Sequence, residues 1–93
     1  MDIETAMEEA GAAMMSMADR VAADRAAASG LNARAEELYC SAGGSIAGDF
    51  LRQRADDFLR AAARRERRAQ AIQTLMDAAR KAAQQEDANH VST

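Results

Sequence analysis

Two long heptad repeats of apolar residues constrain the fold of this chain more than any other feature. Apolar positions alternate at steps of four and three residues from Ile3 to Leu38, and they do so again from Leu51 to Ala83. Steps of this size place the apolar side chains along one stripe of an α-helix. The sequence therefore predicts an all-α protein built from two long amphipathic helices.

One glycine-rich stretch, SAGGSIAGDF at residues 41–50, separates the two repeats. Gly43 and Gly44 lie at its centre, and glycine both ends helices and adopts the positive φ that a chain reversal needs. We therefore predict an antiparallel two-helix hairpin with its turn at these two residues. The helices are expected at about 3–41 and 46–86, which makes 1–86 one hairpin domain and 87–93 a disordered C-terminal tail.

Folding the chain back at the glycines sets the register between the helices. Residues whose numbers sum to about 89 should lie opposite each other, because the turn is centred near residues 43 and 44. The two apolar stripes then face each other along the hairpin. We predict a seam that contains Met17, Val21, Leu31, Leu38, Leu51, Phe58, Ile72 and Met76.

Each apolar stripe has one charged interruption, Asp24 in the first and Arg65 in the second. The predicted register places these two residues opposite each other, so we expect an inter-helix contact between them. A charged pair in a seam adds little net stability, but it specifies which register is allowed. In the alternative interpretation each side chain reaches water separately.

The first repeat continues in phase through Gly30, so we predict one continuous helix there and not a break. A glycine inside a helix costs about 1 kcal/mol relative to alanine, which leaves a local break as the alternative. Cys40, the sole cysteine, has no second thiol to pair with and is interpreted as a structurally buried residue.

A hairpin of 93 residues has little room for a core, and the chain has no Pro, no Trp and no disulfide. A second set of apolar residues lies outside the predicted seam, and it is typical of a face that packs on a partner. We therefore expect a homodimer or a heterodimer with another small helical protein, in a four-helix bundle. The candidate partner face comprises Met15, Ala18, Ala22, Phe50 and Leu59.

Several functional classes are disfavoured by the sequence. The net charge of −3 and the absence of aromatic residues among the arginines between Arg60 and Arg68 argue against nucleic-acid binding. No catalytic constellation, metal-ligand spacing or cofactor motif is present, so we expect a non-enzyme without cofactor, metal or small-molecule substrate. No apolar run has the length of a membrane span, and the acidic N-terminus lacks a signal core. We expect synthesis in the cytoplasm, with export, if any, by a leaderless route.

The hairpin layout, the length and the central turn together resemble the WXG-type (ESX-like) helical-hairpin proteins of type VII secretion. Ser41-Ala42-Gly43 occupies the place of the Trp-x-Gly turn, with serine at the tryptophan position and Gly44-Ser45 following it. The Tyr-x-x-x-Asp/Glu export signal of that family is absent. The resemblance implies an exported or co-exported protein that pairs with a partner carrying the signal, and only Gly43 is carried over as a family residue.

Two other interpretations remain open at this stage. The second half of the chain is similar to the second helix of cytosolic type III secretion chaperones, which bind a needle subunit or an effector. An alanine-rich coiled-coil regulator that binds nucleic acid through its arginine face is the third. The acidic first helix and the more basic second half suit contact with each other better than contact with nucleic acid.

Overall fold

The structure, a computed structural model, describes residues 2–91, with side chains as far as residue 88. Two helices, α1 (Ile3–Tyr39) and α2 (Ser45–Val91), pack side by side and account for nearly all of these residues, which include no strand. The molecule measures 79 × 16 × 15 Å. The predicted antiparallel helical hairpin is therefore confirmed.

Helix α1 is continuous through Gly30, as the unbroken heptad phase predicts. Its first turn is capped by Asp2, whose Oδ1 accepts a hydrogen bond of 2.8 Å from the backbone N–H of Thr5. The hydrogen bonds from Thr5 stabilise the carboxylate and hold the pKa of Asp2 below its usual value. The cap is therefore retained at neutral pH and is weakened when Asp2 is protonated.

The reversal uses Gly43 and Gly44 for different reasons. Gly43 has a φ of +74°, the left-handed region that L side chains rarely adopt. At Gly44 the backbone passes so close to Leu38 that an added Cβ would stand 2.0 Å from the Leu38 carbonyl oxygen. The Ser41 N–H and hydroxyl both donate to that oxygen, at 3.1 and 2.9 Å. These bonds end α1 at Tyr39, two residues before the predicted boundary.

Helix α2 continues five residues beyond its predicted end at residue 86. The sequence shows no apolar periodicity there, and a disordered tail was predicted for 87–93. The structure is helical as far as Val91. Loss of the apolar stripe removes packing, but it leaves the backbone hydrogen-bond ladder intact, and no Gly or Pro after residue 86 ends that ladder. Residues 92 and 93 lie outside the described residues.

The core of the hairpin is a thin seam of small side chains. Its buried apolar residues are Val21, Ala28, Ala35, Ala55 and Ala62. The contact register places Ala28 opposite Ala62 and Ala35 opposite Ala55, so that alanine meets alanine in two layers. Such layers let helix axes approach to about 8 Å, the short end of the usual range. All eight predicted seam residues lie along this line and are buried or half-buried.

Replacing Gly44 with alanine should destabilise the hairpin, because the new Cβ meets a backbone carbonyl that cannot move without opening the turn. We expect a loss of at least about 1 kcal/mol in the free energy of unfolding, measured by urea denaturation with circular dichroism. Gly30→Ala is the matched control. A Cβ at Gly30 meets nothing within 4 Å, so this substitution should stabilise the helix by about 0.5–1 kcal/mol. Equal effects of the two substitutions would contradict this account of the turn.

Candidate protein-interaction surface

An ion pair between Asp24 and Arg65 occupies the middle of the seam. The Arg65 Nη1 atom donates to Asp24 Oδ2, and the side chains retain only 13 % and 31 % of their exposure for Asp24 and Arg65 respectively. The structure thus brings together the two charged interruptions of the apolar stripes. Since every other seam position is apolar, sliding one helix past the other would leave each charge facing hydrocarbon.

Two further inter-helix ion pairs lie on one side of this seam. Arg25 pairs with Glu66, and Arg52 Nη2 lies 2.6 Å from Glu36 Oε1. All four side chains are exposed, so each pair contributes little stability by itself. The two residues of each pair nevertheless lie at the same height along the hairpin, which we call a level. The acidic residue belongs to α2 in the first pair and to α1 in the second.

A cluster around Tyr39 ties the turn to the start of α2. The ring of Tyr39 lies on Gly48, where an added Cβ would come within 2.8 Å of the ring. The Tyr39 hydroxyl donates a hydrogen bond to Asp49, and the guanidinium of Arg52 lies 5.3 Å from the ring centroid. Hydrogen bonding to Asp49, burial and the Asp49 charge raise the pKa of Tyr39 above 10.0. Sequence analysis missed this cluster, although the register already set Tyr39 opposite Gly48 and Asp49.

An open groove of about 580 Å³ lies between the helices on the same side as the Arg25–Glu66 pair. Its floor is apolar, and its walls are formed by small and polar side chains. Because Ala18 and Ala22 are short, the helices leave space there that longer side chains would fill. The lining residues are Met14, Met17, Ala18, Val21, Ala22, Arg25, Glu66, Ala69, Gln70 and Gln73. We call the side of the hairpin that carries this groove the groove side.

The five residues of the predicted partner face do not share one side of the hairpin. Met15, Ala18 and Ala22 follow helical spacing along the groove side, and all three are exposed, with Met15 at 72 %. Leu59 precedes Glu66 by seven residues and therefore also lies on the groove side. Phe50, nine residues before Leu59, points away from Leu59 by about half a turn of helix.

The opposite side of the hairpin carries exposed apolar residues that sequence analysis missed. Leu75 is 71 % exposed, and its spacing from Phe50 places both residues on this side of α2. Ile46 lies one turn before Phe50 at the end of the molecule that contains the turn, and it is 84 % exposed. Leu75 could have been found from its heptad position, one residue before Met76. Ile46 carried no periodic signal because it lies in the glycine-rich stretch.

The remaining candidate residues are solvent-facing. Arg60 pairs with Asp57 at 3.2 Å, whereas Arg64, Arg67 and Arg68 are exposed and make no ion pair with any described side chain. Cys40 is also exposed, which corrects its interpretation as a buried residue. It is the C-cap residue of α1.

Within residues 2–88, no group of three or more His, Cys, Asp or Glu side chains is placed to hold a metal ion. None of the described helices is long and apolar enough to cross a membrane. The features that stand out on this surface are therefore an apolar groove, exposed large apolar side chains and ordered ion pairs. This combination is typical of a surface that binds another protein.

Comparison of the chain with protein families, curated proteins and solved structures finds no match.

Removing either member of the Asp24–Arg65 pair should destabilise the hairpin, since the other charge then stays partly buried without a partner. We expect Asp24→Ala and Arg65→Ala each to cost about 1–3 kcal/mol. In a double-mutant cycle measured by urea denaturation, the coupling energy should be at least about 1 kcal/mol. The exposed pair Arg34–Glu37 is the control, for which a coupling below about 0.5 kcal/mol is expected. Additive effects at Asp24 and Arg65 would mean that the seam does not depend on their contact.

The contact between Tyr39 and Asp49 should be visible in a spectrophotometric titration, because Tyr39 is the sole tyrosine and the chain has no tryptophan. We expect a midpoint above pH 10 in the folded protein and a lower one in Asp49→Asn. Since the folded state raises this pKa, the contact stabilises the hairpin fully below pH 10, and that stability is lost as pH rises through the folded pKa. Asp57→Asn, which removes an acid remote from Tyr39, should leave the midpoint unchanged.

Proposed function

We propose that this protein is a non-enzymatic interaction protein that works by pairing its hairpin with another small helical protein in a four-helix bundle. The observation that carries the proposal is the unburied surface of the hairpin. Its accessible area is 6942 Å², whereas a compact monomer of 9.9 kDa exposes about 5,200 Å². The excess of about 1,700 Å² on one chain is larger than the roughly 800 Å² that each partner loses in an interface of standard size.

The composition of the core supports the same proposal. None of the large apolar side chains in the described part of the chain is fully buried, while Met15, Ile46, Phe50 and Leu75 are mostly exposed. Full burial of one such side chain contributes about 1.5–3 kcal/mol, so the isolated hairpin leaves part of the hydrophobic stabilisation available to this chain unused. A partner that covers one side would supply it.

We further propose that the protein acts as a secreted or co-secreted partner of a type VII (ESX-like) secretion system. Support comes from the chain reversal at Gly43, close to the middle of a hairpin of just under one hundred residues. In this proposal the chain is made in the cytoplasm and is exported together with its partner. A partner carries the export signal, because this chain has no Tyr-x-x-x-Asp/Glu sequence.

Size-exclusion chromatography with light scattering tests the pairing. The protein should elute with the mass of two hairpins, either when purified alone or after co-expression with the product of the adjacent small open reading frame. The radius of gyration of 21.4 Å, against about 12 Å for a compact domain of this length, makes elution volume misleading, so the mass must come from scattering. A single-hairpin mass in both samples would contradict the pairing.

The secretion step is tested separately in the source cell. Deleting the membrane-bound ATPase of the secretion system should abolish release of the protein into the medium while leaving its intracellular level unchanged. Equal release with and without the ATPase would remove type VII secretion from the proposal and leave the pairing intact.

A further inference from the structure

We infer that the partner is a second copy of this chain, which packs on the groove side with the two turns at the same end of the bundle. This inference rests on the proposed pairing and deepens it, since it names the partner, the side and the orientation. Its support is charge complementarity, together with the apolar area on that side.

The charged residues of the groove side are ordered so that a second copy can offer the opposite charge at each ion pair, if a two-fold axis parallel to the hairpin relates the two copies. Contacting residues of the two helices have numbers that sum to 88–91, so each residue of α1 has a defined level on α2. A two-fold axis along the hairpin keeps levels unchanged and places α1 of each copy over α2 of the other. Arg25 then meets Glu66 of the partner subunit, and Glu36 meets Arg52 of the partner subunit.

Each intramolecular ion pair thereby becomes a group of four charges with alternating signs. Along most of the groove side the other acidic residues also avoid acidic partners at their own level: Asp56 lies at the level of Asn32, and Asp77 at the level of Gly11. The exception is the end remote from the turn, where Glu4 lies at the level of Asp87. Glu8 lies at the level of Arg80. Opposite charges at matching positions favour one arrangement of two proteins over its alternatives.

The reversed orientation on the same side lacks this complementarity. With the turns at opposite ends, α1 lies over α1 and α2 over α2, and residues near the middle of the hairpin meet their own copies. Arg25 and Glu66 are near that middle, so arginine would face arginine and glutamate would face glutamate. Like charges juxtaposed at an interface disfavour an arrangement strongly.

The opposite side of the hairpin also fails this test. Arg20 lies at the level of Arg68 there, and Arg34 lies at the level of Arg54. A two-fold axis along the hairpin on that side would gather four arginines without an acid at the level of Arg20 and Arg68. At the level of Arg34 and Arg54 it would gather four more, which are offset only by Glu37, already paired with Arg34 of its own chain, and by Asp57, already paired with Arg60. The charge order therefore selects the groove side, although large apolar residues are exposed on both sides.

The groove side also offers apolar surface in the right place. Met15, Ala18 and Ala22 of one copy would lie over the stretch of α2 near Gln70 and Gln73 that borders the groove of the other. The small alanines allow close approach of the helices, and a methionine adapts its shape to an irregular groove. Leu59 adds a second apolar contact about 20 Å from the start of α2, where it faces the partner's α1.

A variant in which both ion pairs have their charges exchanged tests whether opposite charges meet between the two copies. Arg25→Glu, Glu66→Arg, Glu36→Arg and Arg52→Glu in one chain keep both intramolecular pairs, so the hairpin should fold, and they keep the intermolecular pairs between two variant copies. Mixed with wild type, however, the variant would place like charges together. Native mass spectrometry after subunit exchange should show mixed dimers at least about threefold below the statistical proportion.

Mixed dimers at or above the statistical proportion would overturn the inference. In the reversed orientation mixed dimers should exceed the statistical proportion, because wild-type Arg25 would then meet the glutamate introduced at the same position in the variant. The sign of the deviation therefore separates the two orientations.

Cysteine cross-linking tests the orientation and the side independently. In a Cys40→Ser background, Gly11→Cys and Asn32→Cys lie on the groove side, near opposite ends of α1. Both should be joined to their own copies by a short thiol cross-linker. In the reversed orientation, each lies about 30 Å from its copy along the axis, from a rise of 1.5 Å per residue. Gly30→Cys is the matched control on the opposite side, and an added Cβ meets nothing within 4 Å at Gly11 or Gly30.

The outcomes separate this inference from the pairing on which it rests. Cross-links at residues 11 and 32 but not at residue 30, together with depleted mixed dimers, support it. Cross-linking chiefly at residue 30, or at neither groove-side position in a protein of dimer mass, overturns it. A pure sample of single-hairpin mass that forms a complex only with a different chain also overturns it and leaves the proposed pairing standing. A single-hairpin mass under all conditions removes both.

Discussion

The close approach of two helices across facing alanines is the constraint on which the rest of this structure depends. Alanine layers at residues 28 and 62 and at residues 35 and 55 bring the helix backbones together, and larger residues fit only in the layers between them. Because the seam is narrow, it holds only some of the large apolar side chains, among them Leu31, Phe58 and Ile72, and it buries none of them fully. Others, such as Phe50 and Leu75, lie on the outer surfaces of the hairpin, and the proposed pairing with a partner rests on that geometry.

Charged residues fix the register between the two helices, which the alanines alone do not specify. A stripe of small apolar residues is a weak guide to register, since alanine packs on alanine at many offsets. The Asp24–Arg65 pair removes that freedom, because any other offset buries two unpaired charges. The exposed pairs outside the seam add little stability, yet they set an order of signs along the groove side. Stability and specificity are thus supplied by different residues in this molecule.

Heptad spacing predicted the hairpin, its seam and the Asp24–Arg65 contact because each follows from which residues share a helix face. The helix ends, the outer apolar faces and the Tyr39 cluster depend on other interactions, which heptad spacing does not show. Helix ends depend on local hydrogen bonds, which spacing does not reveal. Helix α1 ends before its predicted boundary because Ser41 donates to the Leu38 carbonyl. Helix α2 continues beyond its predicted boundary because nothing interrupts its backbone hydrogen bonds. Phe50 and Leu59 are both apolar residues outside the seam, but their spacing of nine residues places them about half a helical turn apart, so they do not share one face. The Tyr39 cluster needed the position of a ring on Gly48, which spacing alone does not give.

The fixed correspondence of levels between α1 and α2 restricts how the length of this protein can change during evolution. A single inserted residue in either helix rotates everything beyond it by about 100° and carries alanines off the seam. Insertions of seven residues keep the heptad phase of a helix, but they also need a matching insertion at the same level of the other helix. Related proteins should therefore differ in length by paired blocks or at their free ends, while the short connection at Gly43 and Gly44 keeps its size.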